Sequence, residues 1–113
     1  MVILVGEKVT PEQIQLAAED YFGEYIKIVV DIKTGQMTIG GEWHADGERE
    51  LLAAGCKQAN LWGGGLDLKT NQINYSAMTN IKSQINKTHV IEDIIIRELF
   101  DKFIYERLSE IIG

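Results

Sequence analysis

Glu42, His44 and Asp46 stand two residues apart behind Gly40 and Gly41, in the run Gly-Gly-Glu-Trp-His-Ala-Asp. A carboxylate, an imidazole and a second carboxylate are the groups of proton transfer and of metal coordination by hard donors. On a strand, alternate residues share a face and lie about 6.6 Å apart, close enough to meet one ion or one bound molecule. Bare glycine backbone beside them lets a ligand approach. Three readings follow. In the first, Asp46 caps a helix, a role aspartate favours, Glu42 is a solvated strand residue, and His44 ends a strand near the surface. In the second, His44, near its ordinary pKa of ~6.5, is an acid–base or binding group oriented by a carboxylate. In the third, the three side chains hold Zn, Mn or Fe. No H-x-H or H-E-x-x-H accompanies them, and His89 is the only other histidine. The metal and any cofactor are therefore left open.

These residues need elements to position them. Thr10-Pro11-Glu12-Gln13 reads as a capping box with proline in the first turn. Ile14, Ala17, Ala18, Tyr21 and Phe22 follow at helical spacing, and Gly23 suits the helix end. Before it, Val2 to Val5 read as a short buried strand. Ile26, Ile28, Val30 and Ile32 alternate with Lys27 and Asp31, the pattern of a strand. After a turn at Lys33-Thr34-Gly35, the return strand runs through Met37, Ile39 and Trp43. Parity on that strand puts Glu42 and His44 opposite Met37, Ile39 and Trp43. A short helix spans about Asp46 to Ala54, closed by Gly55.

Asp67-Leu68-Lys69-Thr70-Asn71-Gln72 repeats Asp31-Ile32-Lys33-Thr34-Gly35-Gln36 at a shift of 36 residues (Asp31 to Asp67). Asn for Gly keeps a residue that tolerates the left-handed region. Duplication and convergence on good turn chemistry both explain it, and either supports a second hairpin. A last helix runs from about Val90 to Ile112. The fold class is α+β: one domain over 1–113, a mainly antiparallel sheet built from two hairpins, helices packed on one face.

The last helix carries apolar residues over more of its circumference than one sheet face uses. A homodimer through this C-terminal helix accounts for the excess, two-fold dimers being the commonest oligomer. Trp62-Gly63-Gly64-Gly65 is not a phosphate loop, since no Lys-Ser/Thr follows it. It reads as a bulged or flexible strand. Trp43 and Trp62 are expected in the core. Cys56 has no activating base nearby in sequence and reads as structural. Lys82, Lys87 and His89 read as a solvated loop.

The chain has 113 residues, a net charge of −6, 45% hydrophobic and 25% charged residues. That is the balance of a folded domain able to bury one core. The acidic charge and the lack of clustered Lys and Arg argue against nucleic acid as a partner. No run approaches the ~20 apolar residues of a bilayer span. Met1 to Val5 lacks a signal peptide's basic start. One cysteine excludes an internal disulfide and a multi-cysteine zinc site. The expectation is a soluble cytoplasmic protein with no membrane partner.

The G-G-E-W-H-A-D segment, Gln58-Ala59-Asn60-Leu61-Trp62-Gly63, the loop at Asn80 and the terminal helix together resemble a small family of uncharacterised prokaryotic proteins. The likeness covers nearly the whole chain. It implies a class of protein without implying a reaction. Cys56 stands where the resemblance leads one to expect serine, and Asn80-Ile81-Lys82-Ser83 lacks an Arg-Pro pair. Two function classes follow. One is a dimeric small-ligand binding or regulatory module with its site near Glu42, His44 and Asp46. The other is a small hydrolase-type enzyme using His44 with a carboxylate or a bound metal. The first is favoured, because catalysis needs more convergent polar groups than one short strand supplies.

Overall fold

Two turns of matching chemistry set the frame of the computed structural model, which describes residues 1–112. Asp31 accepts from the N–H groups of Lys33 and Thr34 at 2.8 and 3.1 Å, and Thr34 Oγ1 accepts from Gln36 N–H at 3.2 Å. Asp67 and Thr70 make the same three bonds at 2.8, 3.2 and 3.3 Å. Gly35 and Asn71 hold φ of +80° and +60°, where glycine and asparagine are least strained.

In chain order the elements are β1 (Val2–Leu4), α1 (Pro11–Ala17), β2 (Tyr25–Asp31), β3 (Met37–Gly40), α2 (His44–Ala53), β4 (Leu61–Asp67), β5 (Gln72–Asn74), α3 (Ile94–Arg107) and the short α4 (Ser109–Ile112). The five strands form one antiparallel sheet in the order β1-β3-β2-β4-β5. The two hairpins meet along β2 and β4. Tyr25 pairs with Asp67, Asp31 with Leu61, and Ile28 with Gly64, its own counterpart 36 residues on. The register thus has an internal two-fold axis through the Ile28–Gly64 pair.

The fold class is the expected α+β, but the helices divide between both sheet faces rather than gathering on one. Alternation sends Ile26, Ile28, Val30, Met37 and Ile39 into the larger core, with Phe100 and Ile104 of α3 and Ile14 and Ala17 of α1. Each fully buried Ile, Val, Met or Phe among them contributes roughly 1.5–3 kcal/mol. The other parity of β2 brings Val29 against Leu51 of α2, with Leu61 and Cys56 completing a second, smaller cluster. α2 has one fully buried apolar side chain, Leu51. Leu51, Leu61 and Cys56 together bury Val29 on this second face.

Helix bounds follow their caps. Thr10 and Gln13 form the capping box of α1, with bonds of 3.2 and 3.1 Å. α1 ends early, at Ala17; one 3-10 turn follows, and Phe22 and Gly23 take φ of +58° and +75°. α3 begins at Ile94, not Val90, because Asp93 accepts from Ile95 N–H at 2.8 Å. Residues 75–92 form a long loop tied by buried amides. Asn80 binds both the N–H and the carbonyl of Gly63, at 2.7 and 2.9 Å. Asn86 donates to the carbonyls of Asn80, Thr88 and Val90. Lys82 is not solvated: it is 5% exposed and donates to the carbonyls of Gln58 and Thr79.

β4 is a regular interior strand, not a bulged one. Its glycines make room for neighbours. A Cβ on Gly64 would stand 2.1 Å from the Asn74 carbonyl oxygen, and one on Gly63 2.7 Å from the Ala77 Cβ. No described helix is long and apolar enough to cross a membrane.

Candidate functional site

The strand carrying the Gly-Gly-Glu-Trp-His-Ala-Asp run stops at Gly40. Gly40 and Gly41 take φ of +88° and +94°, outside the β region, so strand parity does not continue past them. Trp43 becomes the N-cap of α2, and His44, Ala45 and Asp46 its first three residues. Asp46 reaches back to accept from Trp43 N–H at 3.0 Å. It is a capping group, as one reading held, but from the third helical position. Negative charge there also suits the helix dipole. Trp43 is not core; it is 64% exposed. Trp62 is core.

Glu42 is exposed, and its backbone carbonyl accepts from the Tyr21 hydroxyl at 2.7 Å. His44 turns the other way, onto the sheet. Its Nε2 lies 2.7 Å from the carbonyl oxygen of Gly64. A carbonyl only accepts, so Nε2 carries the proton and Nδ1 is the basic nitrogen of a neutral ring. Among the described residues nothing bonds Nδ1. Burial holds the His44 pKa below its ordinary value, and nearby Lys27 adds to this against the opposing bond to Gly64. The absence of a side chain on Gly63 is what admits the ring: a Cβ there would lie 3.2 Å from His44 Cδ2.

His44 lines a cleft of about 450 Å³ with Lys27, Trp43, Ala45, Glu48, Gln58, Met78 and Thr79. The cleft lies beside the start of α2. Glu48 stands one helical turn from His44, on the same side of α2. Its Oε2 accepts from the Thr79 hydroxyl at 2.7 Å. Lys27 projects from the polar face of β2 onto the Tyr21 hydroxyl at 2.5 Å, with its Nζ 4.1 Å from that ring's centre. Tyr25 lies across Gly65, and its hydroxyl accepts from Asn74 Nδ2 at 2.8 Å.

Of the three residues singled out from the sequence, the cleft takes His44 alone. Among the described residues no three His, Cys, Asp or Glu side chains gather as a metal group would require. Sequence reasoning missed Lys27, Glu48 and Thr79. Glu48 carried a usable signal, the four-residue spacing from His44, once the helix start was placed. Thr79 carried none, because a 3-10 turn in a long loop brings it in. Cys56 is buried, and its pKa is pushed up to about 11 by burial and by Asp31, which leaves it a thiol.

The arrangement is that of a small antiparallel α+β domain with a largely apolar cleft, bearing a few polar side chains, at the start of its second helix. The chain belongs to the family described as Protein of unknown function (DUF5674), whose model matches residues 3–107. No curated protein and no solved structure matches the chain.

Proposed function

We propose that this chain is a small-ligand binding module of the cytoplasm, with His44 at the centre of its site. The carrying observation is the state of that imidazole. It is anchored through Nε2 to Gly64, nothing among the described residues bonds its Nδ1, and the residue lines a cleft of ligand size. Anchoring a polar group while leaving one valence open is how a site reads a ligand without reorganising. Glu42 and Asp46 support the site from outside: Asp46 fixes the helix start, and the Glu42 carbonyl holds Tyr21 over Lys27. The test is a fragment titration followed on the His44 ring resonances. Saturable shifts in the wild type that vanish in His44→Gln, with the fold retained, support the reading. A ring unmoved by any fragment overturns it.

The same neutral Nδ1, with Glu48 one turn away, favours the second reading, a hydrolase-type enzyme with His44 as base. Turnover of activated esters that His44→Gln abolishes would move the assignment there. A homodimer through α3 remains part of the first reading. Ile94 and Ile95 open that helix 65% and 63% exposed, and such side chains call for a partner.

A further inference from the structure

Lys27 and Glu48 line one cleft with opposite charges, yet among the described residues neither forms an ion pair. The ion pairs among the described residues join Met1 to Asp20, Arg49 to Asp46 and Lys69 to Glu24. Lys27 gives one proton to the Tyr21 hydroxyl and lies against that ring, which leaves two protons. Glu48 takes one hydroxyl on Oε2, and nothing among the described residues bonds Oε1. Thr79 fixes the direction of that carboxylate. Thr79 is itself buried, and its carbonyl is held by Lys82 and Gln58. Two opposite charges held apart by separate partners are a template for a molecule carrying both signs.

The remaining lining sharpens the class. His44 Nδ1 is a neutral acceptor, so it favours a donor such as an ammonium. Trp43 and Met78, 64% and 74% exposed, frame the cleft with apolar surface. A ligand that satisfies all of these carries an ammonium for Glu48 and His44, a carboxylate for Lys27, and an apolar body for Trp43 and Met78. We propose that the cleft takes a free α-amino acid with an apolar side chain. The inference rests on the reading of this cleft as a ligand site and names the chemical class of its occupant. Charge-assisted bonds to both ends, each roughly twice as strong as a neutral one, would set the selectivity.

The test uses the whole chain, with calorimetry for affinity and the His44 ring resonances for location. The probes are L-leucine, L-methionine, 4-methylpentanoate, which lacks the ammonium, and 3-methylbutylamine, which lacks the carboxylate. The amino acids are expected to bind, with each half-analogue at least about ten-fold weaker. Lys27→Met should bring leucine down to the affinity of the amine, and Glu48→Gln down to that of the carboxylate. Leucine binding no better than either half-analogue overturns the proposal, and that comparison needs no variant to fold. If a neutral probe such as indole shifts the His44 ring while leucine does not, the cleft reading stands and the amino-acid assignment falls. If nothing shifts the ring, both fall.

Discussion

His44, the first residue of α2, donates to the carbonyl oxygen of Gly64 at the middle of β4, 2.7 Å away. One imidazole thus ties a helix start to an interior strand of the sheet. Its removal has two measurable faces.

The first is pH. Burial, then the nearby Lys27, lower the His44 pKa in the folded chain, against the bond to Gly64. Below about 6.5 the unfolded chain therefore binds more protons than the folded one. Stability then falls as pH falls, from about 6.5 down to the folded value, and is level below it. Urea titrations should show this acid loss in the wild type and a flatter profile in His44→Gln. An unchanged profile in the variant would assign the acid loss elsewhere. At neutral pH, His44→Ala should cost about 1–3 kcal/mol for the unmade bond.

Two glycines should respond very differently to alanine. At Gly64 the new Cβ meets the backbone carbonyl of Asn74 at 2.1 Å and Phe100 at 3.0 Å, so β5 or α3 must move. We expect a loss at the upper end of the 1–3 kcal/mol typical of overpacking, or beyond it. At Gly55 nothing lies within 4 Å, and the only penalty is the positive φ of +97°. About 1–2 kcal/mol is expected there. Equal losses by chemical denaturation would refute the steric account of β4.

Asn80 is wholly buried and serves the N–H and carbonyl of Gly63 together with the carbonyls of Tyr75 and His89. Asn80→Ala leaves several backbone groups unpaired, each costing about 1–3 kcal/mol. The expected result is a loss of at least ~3 kcal/mol, or failure to fold, with the loop at 75–92 opening to proteolysis. A loss below ~1 kcal/mol would mean that the loop does not depend on this side chain.

Burial lowers the Lys82 pKa from 10.5 to about 8, with Glu48 working weakly against it. Between those values the unfolded chain holds the extra proton, so this residue adds stability as pH rises through that window. Cys56 acts in the opposite sense between 9.0 and about 11, its folded pKa being raised. The comparison of wild type with Lys82→Met isolates the lysine. The variant should lack the rise that begins near pH 8, as followed by thermal unfolding. Parallel curves would contradict a buried amine.

If the homodimer uses the start of α3, Ile94→Glu with Ile95→Glu should leave the fold intact and produce a monomer. Analytical ultracentrifugation at micromolar concentration reads this directly. A wild type that is already monomeric removes the dimer.

Local chemistry was legible in the sequence where it acts over a few residues. The Thr10–Gln13 box, the turn at Asp31 and its copy at Asp67 form the bonds their residue types imply. The strand pattern also gave the inward set of β2 correctly. The reading failed at Gly40 and Gly41, since glycine fits a strand and a positive φ alike, and the choice is made by packing against Met1 and Ala17. Trp43 and Asp46 were misplaced with it. Residues 75–92 carry no period, because their structure comes from single amides reaching distant carbonyls. The burial of Lys82 and the arrival of Thr79 in the cleft follow from that loop and were equally hidden. The division of helices between faces was hidden because α2 has little apolar surface to announce the side it covers.

The two hairpins share their turn bonds and meet in a register that maps each onto the other. Each turn is closed by bonds within its own hairpin, so the local geometry of one does not depend on the other. Loss of Asp31 or of Asp67 would thus strip one turn of its bonds and leave its copy, 36 residues away, intact.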